Sequence, residues 1–441
     1  MIGKFSFTRR QLVGAAGGLL GVQALARPAA PPSPSEPAGV PDEAYWGKVR
    51  QEFSLGDGLT FLNNGTCGPT PRKVVETHQR YDQELAANPS NNFRAQELDV
   101  VRRKLAEFVN AAPGEIALTH STTEGLNIFA HGLDWKPGDE AILSRHEHFG
   151  GYEPYQALEK RSGIKIVWVD LPAPAESPEQ IVRIYERAFT PRTRAIMVSQ
   201  VMYVTGLVTP IRELAALAHS HNALISIDGA QSFGVLPLDV RAAGIDHYAG
   251  PGQKWLLAGT GTGFSYFKQD LQDRIWPLYG HYDPAGPPEH GPGPVNLERV
   301  HSARRYERSG QINIPAALGV ATALDLQLSI GKANIEARAR QLGSRLRTGL
   351  AEIPGVKLWN PNDPRLSANI TSFAIRDLPP ASLVAALLSR ERIQVRAAKL
   401  GDVSAIRVST HFYNTPEEVD HLVKAVRALS QNPPAPGAEA A

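Results

Sequence analysis

The chain has 441 residues, 42% of them hydrophobic, with 46 basic against 44 acidic side chains and a formal net charge of +2. That length and apolar content suit a soluble globular protein of about two to three domains. The near-neutral balance leaves no electrostatic footprint for nucleic acid or an anionic membrane surface, so a small-molecule substrate is the default. A single cysteine, Cys67, excludes an intrachain disulfide and any cysteine-based zinc cluster, and no histidine falls in an H-E-x-x-H or comparable spacing, so no metal is expected.

In chain order, "FSFTRRQLVGAAGGLLGVQALA" places Arg9 and Arg10 before a Gly/Ala/Leu run too short to span a bilayer. Ala24-Leu25-Ala26 follows as a small-residue cleavage site. Residues 1–30 are similar to a twin-arginine export signal, with an amphipathic helix or a membrane anchor as the alternative. The resemblance implies passage through the twin-arginine translocation machinery. It also implies a periplasmic or otherwise extracytoplasmic location, without stable membrane insertion. The Pro/Ser-rich stretch at 31–42 reads as a linker, and 43–95 as an N-terminal segment.

Between 96 and 270, in a large domain expected over 96–320, helical and strand patterns alternate. "QELDVVRRKLAEFVNA" sets Leu98, Val101, Leu105 and Phe108 on one helical face. "EAILS", "KIVWVDL", "RAIMVSQ", "ALISIDGA" and "TGFSYF" read as buried strands, separated in several places by helices such as "PIRELAALAHSHN". This order predicts an α/β domain with a mainly parallel sheet and ligands at the carboxyl ends of its strands. From about 335 a long helix, short strands and the closing helix "TPEEVDHLVKAVRALS" indicate a smaller C-terminal α+β domain over 321–431, with a disordered tail at 432–441.

The chemistry concentrates around two residues. Asp228 ends the apolar run "ALISID", and a carboxylate at the end of a buried strand needs a positive partner or a donor. Lys254 lies between glycine-rich flanks in "AGPGQKWLLAGTGTG"; Trp255 stands where a magnesium-binding Ser or Thr of a nucleotide-phosphate loop would be, which rejects that reading. Together the two suit pyridoxal 5'-phosphate (PLP). The lysine amine would form a Schiff base with the aldehyde, and the aspartate would keep the ring nitrogen protonated. In "LTHSTTEGLNIFAHGL", hydroxyls stand where an apolar helix begins, either as an anion site or as a plain capping box with Glu124 in the first turn.

"SIDGAQSFGVLPLDVRAAGIDHYAGPGQKWLLAGTGTGFSYF" resembles the class V aminotransferase family of fold-type-I PLP enzymes, which includes cysteine desulfurases, kynureninases and isopenicillin N epimerase-like proteins. The resemblance runs over most of residues 55 to 430. It implies a seven-stranded-type sheet, a homodimer with a shared active site, Lys254 carrying the cofactor, Asp228 on the pyridine nitrogen and Gln231 on the ring hydroxyl. It further implies Thr122 and Thr123 in the phosphate cup, with His148, or less directly His146, stacked on the ring. Arg407 would grip the substrate carboxylate, with Arg396 as the alternative. Asn64 and Gly65 would lie near the substrate, and Gly310 and Gln311 would reach the phosphate across the dimer.

The departures are specific. Pro251 and Gln253 replace the serine and histidine that many relatives use on the phosphate; Gln253 can still donate, but Pro251 cannot. The stretch ending in Tyr203 alters the usual contact beside the ring hydroxyl, and Tyr203 is expected to face the substrate instead. The interval "VRAAKLGDVSAIR" holds no cysteine and Cys67 sits in another segment, so persulfide-forming desulfurase activity is not expected. The resulting expectation is an exported PLP enzyme acting on the amino group of an amino acid or peptide-linked amino acid by transamination or epimerisation. Its nearest resemblance is to the isopenicillin N epimerase-like branch, some exported members of which tailor siderophore precursors in the periplasm, and this implies periplasmic tailoring of a siderophore or other peptide here. A carbon–sulfur or other β-elimination lyase and a non-catalytic binding protein of the same fold are the alternatives.

Overall fold

A computed structural model describes residues 41–90, 95–279, 302–307 and 312–433. The predicted export signal, nearly all of the linker, Gly310, Gln311 and the tail from 434 lie outside the described residues.

Helix α1 (Glu43–Arg50) is capped by the Asp42 side chain, which accepts from the Tyr45 N–H at 2.9 Å. Strand β1 (Thr60–Phe61) and helices α2 (Arg72–Ala87) and α3 (Ala95–Val109) follow. Leu98, Val101, Leu105 and Phe108 of α3 are all buried, as their helical spacing predicts. An alternating run then builds the main sheet: β2 (Ile116–Thr119), α4 (Thr122–Gly132), β3 (Glu140–Ser144), α5 (Phe149–Ser162), β4 (Lys165–Val169), α6 (Pro178–Glu186), β5 (Thr193–Ser199), α7 (Ile211–Ser220), β6 (Leu224–Asp228), β7 (His247–Pro251) and β8 (Gly263–Phe267).

These seven strands lie in the order β2-β8-β7-β6-β5-β3-β4, all parallel except β8. Strands β3, β6, β7 and β8 are buried along their whole length, which is why they read as continuous apolar runs; the edge strand β4 is half-exposed. Because six strands run the same way, the loops after β2, β3, β5, β6 and β7 emerge together at one edge. The loops bearing Thr122, His148, Tyr203, Gln231 and Lys254 are there.

Helix α8 (Ile314–Ile330) is apolar nearly all round and packs on α2 and α3 within the core of the main sheet. After Gly331 comes α9 (Lys332–Ala351). The C-terminal part adds β9 (Val356–Leu358), β10 (Ile370–Ile375), α10 (Pro380–Glu391), β11 (Ile393–Gln394), β12 (Arg396–Leu400), β13 (Val403–Ser409) and α11 (Pro416–Gln431). Strands β12-β13-β10-β9 form an antiparallel sheet with its own apolar core, and β11 pairs in parallel with β1. The fold is α/β, with a seven-stranded, mostly parallel sheet and a smaller C-terminal α+β part. Among the described residues no single helix is long and apolar enough to cross a membrane.

Candidate active site

Asp228 closes β6 and is buried, and the one donor to its carboxylate among the described residues is the Ala230 N–H at 2.7 Å. Burial pushes its carboxyl above the usual range, opposed by that N–H and by the Lys254 charge. Lys254 follows β7. Desolvation lowers its ammonium to about 8, with Asp228 acting in the opposite direction and the Arg407 and Arg396 charges adding to the fall. An amine in that range loses its proton near neutrality, which a covalent or proton-shuttling lysine requires.

The lysine loop is tied down from four directions. The Trp255 carbonyl accepts from Gln327 Nε2 of α8 at 2.7 Å and bonds His411 Nε2 at 2.8 Å. Trp255 Nε1 donates to Gln231 Oε1 at 3.0 Å, and the Gly68 N–H donates to the Gln253 carbonyl at 2.8 Å. Asn64 Nδ2 donates to the Lys254 carbonyl at 3.3 Å, while its Oδ1 accepts from the Tyr413 hydroxyl at 3.1 Å. Leu257 completes the loop with φ +67°, a left-handed conformation that a fully buried leucine holds only under tertiary constraint. A Cβ on Gly68 would come within 2.3 Å of Leu257 Cδ2 and 2.5 Å of the Lys254 carbonyl, so that position requires glycine.

A small cleft of about 70 Å³ opens beside Lys254, lined among others by Ser121, Thr122, Thr123, His148, Asp228, Ala230, Pro251 and Gln253. Ser121 caps α4 by accepting from the Glu124 N–H at 3.1 Å, and Thr122 and Thr123 begin the helix. Thr122 Oγ1 and Gln253 Oε1 are buried without a partner among the described residues. The Thr122 hydroxyl, at a helix N-terminus, can donate to an anionic phosphate, whereas Gln253 would have to turn its Nε2 to it, since the unpaired Oε1 only accepts. A larger cleft, about 440 Å³, lies between α6, α7 and the turn at Arg365, away from this chemistry.

His148, not His146, lines the site. It caps α5, its Nδ1 accepting from the Gly150 N–H at 3.2 Å, so its proton resides on Nε2. Burial and the positive charges of Lys254, Arg396 and Arg407 lower it to about 4, which keeps the imidazole neutral. The Tyr203 ring stands edge-on to it, with centroids 4.9 Å apart. His146 is a half-buried neighbour whose pKa is lowered chiefly by burial.

Gln231 is fully engaged at both ends of its amide, since Nε2 also donates to the Gly65 carbonyl at 2.9 Å. Arg407 is 2% exposed and directs its guanidinium only to neutral oxygens: the Tyr203 carbonyl at 3.3 Å, Asn63 Oδ1 at 3.2 Å and Thr66 Oγ1 at 2.8 Å. Its Nε has no partner among the described residues, and desolvation together with the Arg396 charge lowers the group to about 10. A buried cation without a carboxylate is a site for one.

Sequence reasoning missed three residues here. Glu147 is fully buried beside Asp228, accepting from Ser144 Oγ at 2.8 Å, from the Ser199 N–H at 2.9 Å and from Ser199 Oγ at 2.5 Å; it joins the ends of β3 and β5. Its place immediately before His148 was the available signal. Thr66 touches both arginines. Cys67, set aside because of its position in the chain, is folded close enough to Lys254 for each charge to shift the other, although burial chiefly raises the thiol.

A mostly parallel seven-stranded sheet with this lysine and aspartate at its carboxyl edge defines a fold-type-I PLP-dependent enzyme. The profile of the family described as Aminotransferase class-V matches residues 60–422, and this protein belongs to that family. The isopenicillin N epimerase of Amycolatopsis lactamdurans is 33% identical over 401 residues, covering 88% of this chain and 99% of that protein. A probable cysteine desulfurase of Methanothermobacter thermautotrophicus is 29% identical over 402 residues, covering 87% and 97%. Among solved structures, the cystine C–S lyase C-DES in complex with cysteine persulfide is 28% identical with a TM-score of 0.76, covering 84% of this chain and 98% of that one. A C-DES variant with glycine covalently linked to its PLP cofactor has 27% identity and a TM-score of 0.77, covering 86% and 98%.

Proposed function

We propose that the protein is an exported PLP-dependent enzyme acting on the amino group of an amino acid or peptide-linked amino acid, by transamination or epimerisation. One observation carries this reading: a buried, low-pKa lysine and a buried aspartate face a cavity whose polar atoms lack partners, next to an arginine that lacks a carboxylate. Thr122, Thr123 and Gln253 would hold the phosphate and Asp228 the ring nitrogen, with His148 against the ring. When bound, PLP supplies an electron sink next to the substrate's amino-bearing carbon. Lys254 then takes and returns a proton as its free amine, which exists in quantity near pH 8. Neutral His148 shields the site from water without competing for that proton, and Arg407 orients the substrate by its carboxylate.

A second reading, a carbon–sulfur lyase, is supported by the solved C–S lyase relatives and by the Cys67 thiol beside Lys254. Two tests separate the possibilities. The purified protein should show the visible band of a lysine-bound pyridoxal cofactor and lose it on borohydride reduction; a well-folded protein lacking that band would sink the proposal. In D₂O with amino-acid pools, deuterium at Cα with the amino group retained indicates epimerisation. Conversion of the cofactor to its amine form with one equivalent of keto acid indicates transamination, and release of sulfide, or of ammonia together with a keto acid while the cofactor keeps its aldehyde form, indicates elimination.

The Arg9-Arg10 pair supports export and, with it, peptide tailoring outside the cytoplasm. Export that persists after both arginines become lysine would remove this element. A dimer with a shared site is supported by the resemblance around Gly310 and Gln311, and by Trp276 and Tyr279, which expose 51% and 43% of their surface. A monomeric mass by light scattering would overturn it.

A further inference from the structure

Arg396 and Arg407 are direct partners in the β12–β13 register, so their side chains leave the same face of the C-terminal sheet. Both reach one hydroxyl: Arg407 Nη2 donates to Thr66 Oγ1 at 2.8 Å and Arg396 Nη1 at 3.2 Å. That hydroxyl donates in turn to Asn63 Oδ1 at 2.8 Å, so its proton and its two lone pairs are all used. The residue thus acts as a spacer that fixes the separation of two like charges.

Each guanidinium carries five N–H donors. Arg407 directs three to neutral oxygens and Arg396 one, and neither pairs with a carboxylate among the described residues. Arg102, Arg338 and Arg50, also buried or half-buried, take acids: Glu307, Glu43 and Glu418 respectively. Half-buried Arg347, which meets only the Ala368 carbonyl among the described residues, is a lone cation and not one of a pair on a shared hydroxyl. Two guanidiniums held together without counter-charge repel each other, an arrangement that anionic groups arriving from outside would relieve. One carboxylate suffices for buried Arg407, whereas Arg396 is exposed, with four of its donors unpaired among the described residues.

From this geometry we infer that the site recognises an amino acid bearing a second acidic group: Arg407 takes the α-carboxylate, and Arg396, spaced by Thr66, takes a side-chain carboxylate. This rests on the proposed action on an amino acid and names its substrate class. Glutamate is the simplest probe, and glutamine, its neutral isostere, is the control.

The holoenzyme would be titrated with each, following the shift of the cofactor's visible band. The titration would be repeated with glutarate and its monoamide, which lack the amino group, following Tm. The acidic member of each pair should bind about five- to tenfold more tightly. In Arg396→Ala that preference should shrink to within about twofold while glutamine and the monoamide keep their affinities, and Arg396→Lys should restore part of it. Three outcomes overturn the inference: no preference in the wild type, no binding by any probe, or equal weakening of the acidic and neutral members in Arg396→Ala, which would place both guanidiniums on one carboxylate. Absence of the cofactor band from the wild type would instead defeat the PLP reading, and the glutarate pair would still test the clamp.

Discussion

The surroundings of Lys254 and those of Arg407 and Arg396, near enough for the charges to act on one another, are built on opposite principles. The loop that carries Lys254 is braced by bonds within the protein: the Trp255 carbonyl has two partners, and the Gln231 and Asn64 amides are each engaged at both ends. Around Arg407 and Arg396 the positive charge has no negative partner among the described residues. The first arrangement fixes the position of a reacting atom, which tolerates little displacement. The second keeps its binding capacity for whatever arrives. The segment from Asn63 to Gly68 serves both, because Asn64 and Gly68 brace the lysine loop while Asn63 and Thr66 hold the guanidiniums. A shift of that segment therefore alters catalysis and recognition together.

Three variants test this contrast. The largest effect belongs to Lys254→Ala, which should leave a folded protein without borohydride-fixable cofactor and with turnover reduced by at least about 10²–10⁴-fold from lost proton transfer alone. Retained turnover would remove the lysine from its role. Arg407→Gln should raise KM about a hundredfold, as truncation of a buried charge contact does. Because it also deletes a buried cation with no carboxylate partner, Tm should stay level or rise. A large fall in Tm would show that the arginine is structural.

Glu147→Gln is the mildest, since the amide retains most of the hydrogen bonds. Burial, reinforced by the Asp228 charge, pushes the Glu147 carboxyl from 4.5 up to about 8. Between those values the native state holds a proton that the unfolded chain has released, so this group's stabilisation is present in acid and lost as pH rises through about 8. Lys254, lowered from 10.5 to about 8, titrates above that window. The wild type should therefore lose Tm between pH 5 and 8 more steeply than Glu147→Gln. Parallel curves would contradict it.

The strands were legible because burial on both faces writes itself as unbroken apolar runs, and Asp228 stood out as a charge at the end of one. Helix α8 was not, because a helix apolar all round shows no 3.6-residue period. Strand β2 is only four residues long, too short to separate from its surroundings. Cys67 was set aside on its position in the chain, and folding returned it to the lysine's neighbourhood.

The sequence by itself determined the α/β alternation, the Asp228–Lys254 pair and the threonines at the start of α4. Each of these depends on residue type and near neighbours: apolar period, capping, charge against a hydrophobic run. Only the tertiary structure decided which charges remain unpaired. Asn63 and Arg407 are 344 residues apart, and Thr66 and Arg396 are 330 apart. Whether an arginine is neutralised within the protein or left to bind a ligand depends on which distant oxygens the fold brings within 3 Å or so, and no local pattern encodes that.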